Sequence, residues 1–147
     1  MKARREIDLG PLVGSLGYAL RRAQLTAYGE FIATLEEVAL SPGEFGVLTI
    51  INQNPGLRAA DVCQALGILK TNFVTLLASL EKRNLVERRK SQKDRRTLAL
   101  NLTAAGVALL RRASTLQAPH EARMVKKLGA RGRTQLLDLL NRLTDSF

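Results

Sequence analysis

A single cysteine, Cys63, and a single histidine, His120, stand in the 147 residues of this chain. One thiol cannot close an intramolecular disulfide, and one imidazole beside it makes neither a nucleophilic triad nor a metal-ligand set. No HExxH, phosphate-binding loop or CxxC pair occurs, so catalysis has almost nothing to stand on and no cofactor is expected. Tryptophan is absent and aromatic residues amount to 4%, which leaves few rings to stack single-stranded bases and argues against the common RNA-binding modules. No run of about 18 apolar residues is present to span a bilayer. The basic start "MKARREIDLG" is not followed by an apolar signal core, so the expected location is the cytoplasm, away from the membrane. Acidic residues are scarce as well, 13 against 23 Lys and Arg, for a net charge of +10 and a pI of about 10.6.

What is present is a chain 46% hydrophobic, long enough for one domain with its own core. Its excess positive charge favours a polyanionic partner: nucleic acid first, an anionic membrane surface second. More than half of that excess sits between Lys82 and Arg96, where eight Lys or Arg face only Glu87 and Asp94. By itself such a run reads equally well as a solvated turn, so its flanks decide.

Leu9, Leu12, Val13, Leu16, Leu20 and Ala23 recur at helical spacing, continued by Phe31, Ile32, Leu35 and Val38, which predicts a long first helix from Asp8 to Glu37. "SPGE" at 41–44 is a helix start: Ser41 caps, Pro42 suits the first helical position, and Glu44 closes a capping box. The helix it opens runs to about Asn52, with Phe45, Leu48 and Ile51 inward, and "NPG" at 54–56 ends it. A short helix over Ala59–Leu66, a turn at Gly67 and a helix over Lys70–Arg83 give the helix-turn-helix pattern. Spacing alone leaves that pattern unspecific. Leu85–Arg89 and Thr97–Leu102 then read as two strands, with Leu98, Leu100 and Leu102 on one face, joined by a polar loop over Lys90–Arg96. Thr103 caps the next helix. In that helix Leu109, Leu110, Leu116, Met124, Val125 and Leu128 fall together, and Pro119 is expected to kink or break it. Leu136, Leu137, Leu139, Leu140 and Leu143 lie in a last helix. The fold class is mainly α with a small β-wing.

In its motifs the chain resembles the MarR family of winged helix-turn-helix transcription regulators. The resemblance rests on "LSPGEFGVL" (40–48), "ALGI" (65–68), "LEKRNLVERR" (80–89), "DRRTLALNLTAAG" (94–106) and "KKLGARGRTQLLDLLNRL" (126–143). It covers nearly the whole chain, and the wing segment is its most diagnostic part. It implies one domain over 1–147. Residues 41–103 would form the winged DNA-binding region, and 8–37 and 105–147 would be dimerisation helices.

On the second helix of the pair, Phe73, Leu76, Leu77 and Leu80 point inward, while Lys70, Thr71, Asn72, Thr75 and Ser79 lie outward. Short polar side chains there suit entry into a major groove, where Asn bonds adenine and Thr meets a thymine methyl; the bland alternative is an ordinary polar face. The family usually has Ser or Thr where Leu69 stands and often Arg where Thr75 stands, so readout here is lighter in arginine. In the wing the resemblance assigns a groove-inserting arginine and its tethering aspartate to Arg96 and Asp94. A narrow A·T-rich minor groove attracts such an arginine. Arg88, Arg89, Lys93 and Arg95 would meet phosphates, one of the first two serving structure instead.

The terminal helices have little core of their own to cover, and the family joins them into a homodimer that reads a pseudo-palindrome. "KTNFVTLL" (70–77) is similar to a subgroup that includes regulators of aromatic acid degradation, some responsive to CoA thioesters. The expected partners are therefore duplex DNA, a second copy of the chain, and a small organic effector such as an aromatic carboxylate or its CoA thioester. That effector would release a repressor by favouring another dimer geometry. Tyr18, Arg21, Arg22 and Tyr28, with His120, are candidates for an anionic effector pocket, against a solvated helix face for the first four and a surface or helix-end position for His120. Cys63 reads as a buried packing residue, against a redox role. A ligand-independent architectural DNA binder and a thiol switch at Cys63 are the competing functions.

Overall fold

The computed structural model describes residues 7–91 and 98–145. Among these residues five α-helices and a two-stranded antiparallel sheet follow one another: α1 (Leu16–Glu36), α2 (Pro42–Gln53), α3 (Ala59–Leu66), α4 (Lys70–Lys82), β1 (Val86–Lys90), β2 (Leu98–Leu102) and α5 (Ala104–Thr144). The first helix is shorter than its periodicity predicts. Gly10–Gly14 forms a separate 3-10 turn, with Gly10 at φ 51° and Asp8 Oδ1 accepting the Gly10 N–H at 2.8 Å. α1 then starts afresh, with the Ser15 side chain accepting from the Tyr18 N–H.

The capping box that opens α2 is complete. Ser41 Oγ accepts the Glu44 N–H at 3.2 Å, and Glu44 Oε2 accepts the Ser41 N–H at 2.8 Å. Three helices close alike, each with a left-handed residue after its end: Ala39 after α1, Gly67 after α3 and Asn84 after α4. In each the following N–H reaches back five residues, Leu40 to Leu35, Ile68 to Cys63 and Leu85 to Leu80, which is the Schellman closure. Glycine and asparagine accept this conformation easily, whereas Ala39 holds it at a cost.

The core forms where these helices meet the sheet. Leu35, Val47, Leu48, Ile51, Val62 and Leu80 are wholly buried, with Phe73, Leu77, Leu100 and Leu110 around them. β1 and β2 pair from Val86 with Leu102 to Lys90 with Leu98, and Leu57 adds one bridge to Leu100 on the open edge. Leu98 does not share a buried face with Leu100 and Leu102 as expected: it is 50% exposed while Ala99 is buried. Its place at the far end of the hairpin, opposite Lys90, puts it past the reach of the helices.

Pro119 neither breaks nor ends α5. The helix passes through it and is interrupted at Gly129, whose φ of 70° and ψ of 160° are non-helical. Proline's fixed φ is itself helical, so it removes one hydrogen bond without forcing an exit; only a glycine enters Gly129's conformation freely. Gly106 has the least room of the described glycines, its backbone packed on the Leu85 carbonyl. No single helix among the described residues is long and apolar enough to cross a membrane.

Candidate functional site

Between α3 and α4 the chain turns by 118°, within the range of helix-turn-helix units. The inner face of α4 carries Phe73, Leu77 and Leu80 into the core. Its opposite face therefore carries Lys70, Thr71, Asn72 and Thr75 outward, all exposed. The N-cap of α4 is Leu69, which offers no side-chain hydrogen bond. The first-turn N–H groups thus keep their capacity for an anion. Leu69 and Val74, 72% and 57% exposed, add apolar surface beside these polar groups. The Thr75 hydroxyl turns back to donate to the Thr71 carbonyl at 3.3 Å.

Ser79 does not belong with this outward set. Its hydroxyl donates to Glu44 Oε1 at 2.7 Å, and Arg83 Nη1 stands 3.5 Å from the same oxygen. Glu44, 7% exposed, so serves two helices at once: one oxygen caps α2 and the other fastens α4.

The base of the wing is similarly fixed. Arg88 makes a two-point contact with Glu81 of α4, Nε to Oε1 at 2.6 Å and Nη2 to Oε2 at 3.2 Å. That pairing raises the Arg88 pKa above the ordinary arginine value, the hydrogen bond to Glu81 outweighing desolvation. Arg88 thus ties β1 to α4. Arg89, more exposed, pairs with Glu87 two residues back on its own strand. Lys93, Asp94, Arg95 and Arg96 lie outside the described residues.

The effector candidates gather elsewhere, between α1 and α5. A cleft of about 1310 Å³ is lined by Tyr18, Arg21, Arg22 and His120 together with Glu30, Arg123 and Lys127. Tyr28 instead lines a smaller cavity of about 340 Å³ beside it, with Phe31, Phe45, Gln117 and again His120. His120 is no surface histidine: it is 5% exposed, in the middle of α5, with Nδ1 3.1 Å from Glu30 Oε2. A carboxylate only accepts, so the ring donates. Arg123 Nη2 donates to the same oxygen at 3.0 Å. The Arg123 and His120 hydrogen bonds together lower the Glu30 pKa below the usual carboxylate value. Phe31 sits at the centre of a ring cluster, its centroid 5.7 Å from Phe45, 5.9 Å from Tyr28 and 6.2 Å from His120.

Sequence reasoning passed over Glu30, Arg123, Lys127 and Gln117. Arg123 and Lys127 follow His120 at helical spacing, a signal that was available. Nothing local marks Glu30 or Gln117. Cys63 is half-buried and packed against the core, its thiol donating to the Ile68 carbonyl at 3.3 Å. Among the described residues no group of His, Cys, Asp and Glu is placed to hold a metal.

A helix-turn-helix followed directly by a basic two-stranded hairpin defines a winged-helix protein of the DNA-binding type. The MarR family profile matches residues 40–97. The chain is 31% identical over 128 residues to an HTH-type transcriptional repressor of Mycobacterium tuberculosis, covering 87% of this chain and 92% of that protein. The solved structure of the transcriptional repressor CouR bound to a 23-mer DNA duplex is 41% identical and covers 95% of this chain and 99% of that one, with a TM-score of 0.87. CouR bound to p-coumaroyl-CoA is 38% identical over 97% of this chain and 100% of that one, again with a TM-score of 0.87. The chain belongs to the MarR family of transcriptional regulators.

Proposed function

We propose that the protein is a homodimeric transcriptional repressor, acting in the cytoplasm without catalysis, that binds a pseudo-palindromic operator and is released by an aromatic carboxylate or its CoA thioester. The observation that carries the DNA reading is the outward face of α4. It combines exposed Lys70, Thr71, Asn72 and Thr75 with an uncapped helix N-terminus. Asn72 reads a base edge, Lys70 and the first-turn N–H groups meet phosphate, and Leu69 and Val74 offer apolar contact to thymine methyls. The wing adds Arg89, Lys93 and Arg95 along the backbone. Arg96 enters the minor groove, held in orientation by Asp94.

Dimerisation explains the apolar surface left on both chain ends. Leu12, Val13, Leu16 and Leu25 near the N-terminus and Leu128, Leu136, Leu137 and Leu139 near the C-terminus are all more than 40% exposed in the single chain. Residues 8–37 and 105–147 would bury these faces against a second copy, leaving 41–103 to read DNA. The cleft between α1 and α5 supports the effector. Its Arg21, Arg22, Arg123 and Lys127 suit an anionic ligand, its apolar wall an aromatic one.

Fluorescence anisotropy on an operator and on a random duplex tests the DNA reading. Asn72→Ala weakens binding to the operator by roughly 1–3 kcal/mol and barely affects random DNA. Lys93→Ala weakens both alike and lowers the salt slope by about one. Equal losses on both duplexes for Asn72→Ala would take α4 off the bases.

A further inference from the structure

We propose that Glu81 and Arg88 are positioning residues for DNA recognition: their two-point pair fixes the angle of the hairpin to α4, so that wing and reading helix meet one duplex in register. The inference rests on the DNA reading above and deepens it, with Arg88 acting through the hairpin and not on a phosphate of its own.

The hairpin leaves the core at Arg88. Val86, Arg88 and Lys90 share one face of β1, since side chains alternate along a strand. Val86 is 3% exposed and joins the core with Leu80 and Leu85. Arg88 stands opposite the buried Leu100, and Lys90 opposite the half-exposed Leu98. Apolar packing thus seats the hairpin as far as Leu100 and fades beyond it. There the Arg88 guanidinium reaches the last turn of α4, with Nε 2.6 Å from Glu81 Oε1 and Nη2 3.2 Å from Oε2. Two bonds from a planar fork set direction as well as distance, whereas one bond leaves a swivel. Direction matters because of leverage. Each residue of β1 beyond Arg88 adds about 3.3 Å to the arm, so a small rotation at the base grows along the hairpin.

Glu81 is placed against its own electrostatics. It is a carboxylate in the last turn of a helix, where the free carbonyls repel it. Next to it in sequence runs the most basic stretch of the chain, and on a DNA-binding domain an acid there subtracts from the pull on phosphates. Nor does stability explain it, since an ion pair with side chains 29% and 43% exposed contributes little. Orientation is what the pair supplies.

The test uses the full chain and two duplexes of one length: the sequence that the wild type enriches from a randomised library, and a scrambled version of it. Fluorescence anisotropy gives both affinities over a salt series, at a temperature below every variant's melting point. Glu81→Gln makes the protein more positive, yet its binding to the enriched duplex falls about five- to thirtyfold, the lower part of the range for one lost specific contact. Binding to the scrambled duplex stays within about twofold. Arg88→Lys keeps the charge but loses the fork; it weakens the enriched complex similarly and leaves the scrambled one and the salt slope unchanged. The double variant Glu81→Gln/Arg88→Gln loses no more than Glu81→Gln alone, because a pair is broken only once. Melting temperatures fall by a few degrees at most. Tighter binding of both duplexes by Glu81→Gln, with a salt slope steeper by about one, makes Arg88 a phosphate contact that Glu81 masks and overturns the positioning role. Full affinity for the enriched duplex in Arg88→Lys overturns it too, as do equal losses on both duplexes. Should one single variant not fold, the other still decides. A wild type that enriches no sequence overturns the DNA reading together with this one.

Discussion

Replacing Gly106 by alanine tests a close backbone approach between α5 and the chain leaving α4. An alanine Cβ at 106 would stand 2.1 Å from the Leu85 carbonyl oxygen and 3.0 Å from its carbon. A retreat of about 1 Å is needed merely to reach 3.0 Å, below which real Cβ contacts essentially never fall. The obstacle is backbone, and it is pinned. The Leu85 carbonyl accepts the Thr103 N–H at 3.1 Å and lies 3.4 Å from the Thr103 hydroxyl, while the Leu85 N–H donates to Leu80 at 2.9 Å. Moving it loosens the seam where α4, the wing and α5 meet. Overpacking costs about 1–3 kcal/mol and a weakened hydrogen bond about 1 kcal/mol. Better helix propensity returns about 1 kcal/mol. The net is a loss of about 1–3 kcal/mol, or roughly 3–10 °C in Tm for a chain of this size. Gly29→Ala is the control: it is also helical, its Cβ would meet nothing within 4 Å, and it gains about 0.5–1 kcal/mol. Both are measured by denaturant and thermal unfolding at one fixed protein concentration, because a dimer's Tm depends on it. Wild-type stability or better in Gly106→Ala would refute the steric reasoning, most plainly if Gly29→Ala gained no more.

Glu44→Ala removes the acceptor shared by Ser41, Ser79 and Arg83. It costs about 2–3 kcal/mol in chemical denaturation and weakens operator binding by letting α4 shift; Ser79→Ala costs only about 1 kcal/mol. Glu30 gives a pH signature. The Arg123 and His120 hydrogen bonds lower its pKa in the folded chain. Its contribution to stability is therefore fully present above the ordinary carboxylate range and is lost as pH falls through the lowered value. Thermal melts of wild type and Glu30→Gln differ at neutral pH, and the gap closes in acid; a gap that widens in acid would reverse the assignment. High salt narrows it as well, since Glu30 is half-exposed.

The elements that were legible beforehand are those specified within four or five residues. The Ser41–Glu44 capping box, the glycine turn at 67 and the apolar spacing of Phe73, Leu77 and Leu80 place α2, α3 and α4 without reference to the rest of the chain, and the hairpin follows from its alternation. The outward residues of α4 follow too, because a helix that buries one face must expose the other. Where local signals compete, periodicity alone misleads. It ran α1 back to Asp8 across Gly10, Pro11 and Gly14, which instead form a separate turn. It set Leu98 inward although the hairpin end has nothing there to pack on, and it weighed Pro119 above Gly129.

What the sequence by itself determined is the order of helices, the winged pattern and the outward polar face of α4, all fixed by interactions along a few turns of backbone. Only the tertiary structure decided the rest. It turned Ser79 onto Glu44, 35 residues away, and committed Arg88 to Glu81. It buried His120 against Glu30, 90 residues away, and left Gln117 with one bond made and one acceptor open. Such pairs carry no local periodicity. Their partners are set by which helix faces pack together, and a polar side chain takes its role from whatever that packing brings within 3 Å or so of it.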